Sequence, residues 1–373
     1  MSRDPVTVIL LPEHFTPARQ KLATCGGMTA EGFRYASGVA SLTITNDAGH
    51  IELLPFHGQQ IWDAMFFGRR LTMGSMFDEP LPTQDYLSNY GAFFIHCGVT
   101  AMGNPGAEDT HPLHGELPNA VYREARLVIG EDGDGPFMGL AGTYRHRVAF
   151  THHYMAEPFI KLPARGGRIQ ARLAVRNLRK LAAMELMYLA HINFRPIDNA
   201  RLIDTAPDDP RHMRVRASLP IGYTPSAGHR QLLDEMLAEP ARHRRIVEGR
   251  AIDPELVLSL DCRADEAGFA HSMQLLPDGT ADFVSHRPDE LDHGVRWLSR
   301  SGDQDALGLM LPATADPNGY TAEKARGHLR ILPPQGEFHC ALEFGALGRN
   351  EAEDMRRRIA KINDGAGAEG TAP

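Results

Sequence analysis

Three short stretches hold most of the residues that could do chemistry. Tyr90–Asn119, YGAFFIHCGVTAMGNPGAEDTHPLHGELPN, places His96, His111 and His114 in a run rich in glycine and proline. Strand-forming residues lead into a long irregular loop that His114-Gly115 closes, and long loops in compact folds usually serve function. Met184–Phe194, MELMYLAHINF, sets His191 and Asn193 at the polar end of one face of a strand. Phe338–Leu347, FHCALEFGAL, carries Glu343 among apolar neighbours. A carboxylate in such a place is paired or has a raised pKa, and raised-pKa carboxylates are the usual general bases near neutral pH. The chemistry these types support is reversible proton transfer on a neutral ligand. The bland alternatives are histidines bonded to loop backbone or core, and an arginine ion pair for Glu343.

Short alternating runs must position these groups. Gln60–Phe66, Val121–Ile129, Arg168–Val175, Met184–Phe194, Arg214–Leu219, Glu255–Asp261, Ala281–His286 and His328–Leu332 alternate in polarity, bounded by Gly, Pro, Asn or Asp. That spacing predicts an all-β fold, a large antiparallel β-sandwich with a few short helices. Pro277-Asp278-Gly279 predicts a hairpin turn. Helices are expected over Gly228–Leu237, over Pro240–Gly249, and from about Glu351 to Ile362, where acids precede arginines. Residues 1–363 read as one domain, and 364–373, rich in Gly and Ala, as a disordered tail.

Composition narrows the function classes. The formal net charge of -8 offers no electrostatic footprint for nucleic acid. The basic clusters Arg242–Arg245 and Arg356–Arg358 have acids beside them and read as solvated faces. No 18-residue apolar run exists, so no membrane span is expected. The four cysteines stand far apart with no CxxC pair, which fits reduced thiols and a cytoplasmic location.

The motifs resemble those of the aldose 1-epimerase (galactose mutarotase-like) superfamily, in its bacterial branch of undefined substrate. The resemblance covers roughly Gly49 to Arg349. It rests on His96-Cys97-Gly98 leading to Pro112-Leu113-His114-Gly115, on His191-Ile192-Asn193-Phe194, and on Glu343 near the C-terminus. It departs where Phe344-Gly345 follows the glutamate, since the family glutamate is commonly followed by proline. The resemblance implies a mutarotase-like supersandwich acting on a small-molecule sugar. In it Glu343 is the base that takes the anomeric proton, His191 the acid at the ring oxygen, and His114 a ring-oxygen or hydroxyl ligand. The three are expected in one open cleft, without cofactor or metal. His96, Asn193, Arg69 and Arg296 are the expected substrate-binding residues, and a homodimer is left open. Arg70 and Asp292 are further ligand candidates; either Trp62 or Trp297 could stack on a sugar face, although core packing is the more usual role of a tryptophan. Two other readings stand beside this one. The first is a metal-assisted sugar isomerase or lyase using His96, His114 and His191 with or without Glu343. The second is a carbohydrate-binding protein without turnover.

Overall fold

The computed structural model describes residues 4–219 and 225–369, the last five of these as backbone only. The alternating runs form two antiparallel sheets, as expected. The smaller has nine strands, in the order Val6–Leu10, Glu124–Asp132, Gly135–Val148, His152–Pro163, Gly167–Asn177, Glu337–Leu347, Ala281–His286, Ala270–Leu275 and Arg201–Asp204. The larger has thirteen, beginning Met213–Val215, Ile252–Leu260, His293–Arg300, Asp305–Ala313, Met184–Ile192 and Phe94–Val99. It continues through Ile61–Phe66, Gly49–Leu53, Ala40–Thr45 and Met28–Arg34 to Gln20–Cys25, with two short strands paired alongside.

Period-two patterning makes the sandwich. On Gly167–Asn177, Ile169, Ala171, Leu173 and Val175 are buried, while Arg172 and Arg176 on the alternate face are exposed. Cys340, Leu342, Phe344 and Ala346 do the same on the neighbouring strand. Phe344 meets Phe94 of the larger sheet at 5.1 Å between ring centroids, so the two inner faces share one core. Burying one such aromatic side chain contributes roughly 2–3 kcal/mol.

Turn and helix expectations fare unevenly. The Pro277-Asp278-Gly279 turn joins two paired strands. The helix Ala227–Ala238 starts at Ser226, whose hydroxyl accepts the backbone N–H of His229 at 3.1 Å. Pro240–Arg244 forms only a 3-10 turn, because the chain is drawn back into an extended path at Arg245. The strand expected to reach Leu219 ends at Val215. The terminal helix runs Arg349–Glu369, past Ile362 and into the segment expected to be disordered; residues 370–373 lie outside the described part. The helix Tyr320–Arg326 is not legible in the sequence pattern. No helix among the described residues is long and apolar enough to cross a membrane, and all four cysteines are unpaired.

Candidate functional site

Strand parity decides what reaches the cleft. On Met184–Ile192, Tyr188, Ala190 and Ile192 face the core between the sheets, while Leu189 and His191 face the other way. There they line a cleft of about 430 Å³ on the outer side of the thirteen-stranded sheet, within the range of small-molecule sites. Neighbouring strands contribute residues of the same parity. Glu255 and Val257 come from Ile252–Leu260, and Val295, Trp297 and Ser299 from His293–Arg300. The loops around Phe94–Val99 supply the opposite wall with Tyr86, Tyr90, Asn104, Leu113 and His114.

His114 is held there by its backbone. Its N–H donates to the Gly103 carbonyl at 3.1 Å, and its own carbonyl accepts from Gly98 at 2.9 Å. His114 adopts φ 60° and Gly115 φ 81°. A Cβ on Gly115 would stand 2.2 Å from the Ala101 carbonyl oxygen, so only glycine closes this turn.

The rings form a contiguous aromatic lining. His114 and His191 lie 5.4 Å apart, edge to face. Tyr86 is 4.9 Å from His114, and Trp297 is 5.6 Å from His191. Tyr90 touches both His191 and Trp297 and donates its hydroxyl to Asn193 Oδ1 at 3.2 Å. Nδ1 of His114 and Nδ1 of His191 are buried with no hydrogen-bond partner among the described residues. Burial lowers both pKa values, that of His191 to about 4, so both rings are neutral at pH 7. The charged pair in the wall is Arg216 with Glu255, whose second oxygen accepts the indole N–H of Trp297 at 2.7 Å.

Of the residues expected to meet in one cleft, His114 and His191 do so and Glu343 does not. Leu342 and Phe344 point into the core, so Glu343 must point to the opposite, outer face of the nine-stranded sheet. It accepts from Gln170 at 2.9 Å, stands 3.5 Å from Arg168, and is a third exposed, with the whole sandwich between it and the histidines. The paired-carboxylate alternative describes it. Accordingly Glu343→Gln should leave ligand binding in the cleft unaltered and move stability by less than about 1 kcal/mol, read by thermal melting.

The expected binding residues scatter for the same reason. His96 is paired in register with Ala190, so it faces the core, where Nδ1 meets the Tyr188 hydroxyl at 2.8 Å. That also breaks up the three-histidine metal set of the isomerase reading. Asn193 is buried behind the cleft, donating to the Ala92 carbonyl at 2.9 Å and steadying Tyr90. Arg69 forms an ion pair with the buried Asp282 of the other sheet. Arg296 is fully buried against Asp204 at 2.9 Å, with His243 Nε2 at 2.7 Å and the Leu309 carbonyl at 2.9 Å. These arginines brace the two sheets and do not line the cleft. Arg70 pairs with Asp63, and His111 meets the Pro112 carbonyl at 2.8 Å and accepts the Tyr320 backbone N–H at 3.3 Å. Trp62 is core, while Trp297 lines the cleft.

Glu255 and Arg216 escaped the sequence reading. The available signal was Glu255 sharing parity with Val257 and Ser259 near the start of a strand, an acid on the face opposite Leu256, Leu258 and Leu260.

No family model and no curated protein matches the sequence. Solved structures do match in fold. A protein of Klebsiella pneumoniae subsp. pneumoniae described as a candidate aldose 1-epimerase superposes with TM-score 0.78 over 96% of each chain at 16% identity. A galactose mutarotase-like protein of Clostridium acetobutylicum gives 0.55 over 86% of this chain and 98% of its own, at 14% identity. A galactose mutarotase related enzyme of Lactobacillus acidophilus gives 0.53 over 83% and 98%, at 13%. The chain therefore has the galactose mutarotase-like fold that its motifs suggested.

Proposed function

We propose that the cleft binds a monosaccharide or sugar derivative and interconverts its anomers, as a mutarotase-like isomerase. One observation carries this reading. Two neutral imidazoles sit side by side in a sugar-sized cleft lined by Tyr86, Tyr90 and Trp297. A neutral ring nitrogen facing the cleft can accept a hydrogen bond or a proton from a sugar hydroxyl. Aromatic faces suit the apolar side of a pyranose, and Arg216 with Glu255 offers hydrogen bonds to its hydroxyls.

The mechanism follows from the protonation states. A neutral imidazole accepts a proton, so His191 takes the anomeric hydroxyl proton while the bond from C1 to the ring oxygen breaks. The electron pair of that bond goes to the ring oxygen, which receives the proton back from the imidazolium cluster of His191 and His114. Rotation about C1–C2 and reversal of the steps close the ring on the other face. Glu343 has no part in it.

The test is anomeric interconversion followed by polarimetry across aldoses, acidic sugars and ketoses, with His191→Asn as control. Faster interconversion of one sugar class, lost in the variant, is the expected result. Sugar binding without interconversion would leave the cleft a carbohydrate-binding site only.

A further inference from the structure

Four side chains from four segments converge beside the cleft. His293 opens the strand His293–Arg300, and Asp316 follows Asp305–Ala313. Glu323 lies in the helix Tyr320–Arg326, and His328 comes just after it. One ligand atom from each lies within 4.8 Å of all the others. The sequence hides this group, because only Glu323 and His328 stand close in the chain and no local motif joins them to His293 and Asp316.

Both imidazoles are oriented in the way ligating histidines are. Nδ1 of His328 stands 2.6 Å from Glu323 Oε2, and Nδ1 of His293 stands 3.0 Å from Asp292 Oδ1. Each ring thereby has a carboxylate fixing its tautomer, and the other nitrogen, Nε2, keeps a lone pair. Glu323 is itself clamped: Asn318 donates to it at 2.8 Å, Arg326 at 2.6 Å and the Asp316 backbone N–H at 3.1 Å. Asp316 accepts the Ser259 hydroxyl on one oxygen at 2.9 Å, with no side-chain donor on the other among the described residues. The group borders a cavity of about 530 Å³, through which an ion could enter.

We propose that His293, Asp316 and His328 form a binding site for a divalent transition-metal ion of the zinc class, with Glu323 holding His328 in place and a fourth coordination position open to the cavity. Mixed imidazole and carboxylate donors suit zinc, cobalt or nickel over calcium or magnesium, which take oxygen ligands. Tetrahedral bonds of about 2.0–2.1 Å put ligand atoms about 3.4 Å apart, and the ligand atoms of this group already lie within 4.8 Å of one another. Arg216, Val257 and Pro317 border both this cavity and the sugar cleft, so a bound ion would fix the wall the two share.

The experiment is a cobalt titration of the full chain after chelator treatment and dialysis. The expected result is one ion per chain with visible ligand-field bands, displaced by zinc, together with a zinc-dependent rise in melting temperature. His293→Ala and His328→Ala should each weaken cobalt binding at least 10-fold, since ligand and orienting-shell changes typically cost about 10–100-fold. Should either fail to fold, Asp316→Asn, read by the same spectrum, serves in its place. His114→Ala should leave the titration unchanged, which separates this site from the sugar cleft. No cobalt bands, binding untouched by the variants at His293, His328 and Asp316, or binding of calcium or magnesium alone would overturn the assignment.

Discussion

Unfolding free energy should fall by roughly 5 kcal/mol for each pH unit as the solution is acidified from about pH 6 towards pH 4. Burial pushes His96, His243 and His286 down to about 3 and His191 to about 4, from an ordinary value of 6.5. For His243 the Arg296 guanidinium adds to the effect. The sign follows from proton counting. Between 6.5 and 4 the unfolded chain takes up a proton at each of these four positions and the folded chain does not. The stability is therefore present above the unfolded pKa and lost as pH falls toward the folded one, at about 1.4 kcal/mol per unit per group. His293 is raised, so its contribution changes only above about pH 6.5 and offsets none of this loss. Two pH units thus consume about 10 kcal/mol, comparable to the whole stability of a typical domain. Urea unfolding at fixed ionic strength and pH 7, 6, 5 and 4 would show it. A stability unchanged across that range would mean these rings are solvated.

His191→Asn should lower anomeric turnover by about 10²–10⁴-fold while sugar affinity changes little, since proton transfer in the transition state is worth that much. The pH profile carries the sharper signature. A base with a pKa of about 4 in the free protein leaves kcat/KM flat from neutral pH down to about pH 5, where unfolding intervenes. An ordinary solvated histidine would give an acid limb near 6.5. Such a limb, or full activity in the variant, would move the base elsewhere in the cleft. The first place to look would be Glu255, by Glu255→Gln with Arg216 left in place.

The sandwich was legible because its strands alternate cleanly, as Arg168–Val175 does, and because Gly, Pro and Asp mark its turns. Half of the candidate site was legible too. His114 was marked by the loop that ends in His114-Gly115, and His191 by its place at the polar end of a strand face. Glu343 was misplaced although the information lay within the same ten residues: Cys340, Leu342 and Phe344 form the apolar face, so the glutamate between them had to point away from it. Arg296 fails by the same rule, since Val295 and Trp297 hold the cleft parity. What no local pattern could reveal was pairing between distant strands. The approach of Glu255 to Trp297 and of Arg296 to Asp204 depends on sheet order and on which sheets face each other, and both are set by contacts remote in sequence.

The cleft has a floor and a wall of different construction, and this bears on how its selectivity could be altered. The floor is strand, packed on its reverse side against the other sheet, so a volume change at Leu189 or Val295 is transmitted straight into the core. The wall carrying Tyr86, Leu87, Asn104 and Leu113 is loop, braced mainly by its own backbone bonds. A randomised library spread over both should sort into two populations. Floor variants would be recovered chiefly as insoluble protein, and wall variants as folded protein with shifted sugar preference. The loops can thus be treated as an exchangeable cassette, transplanted whole between chains of this architecture while the strands beneath stay constant.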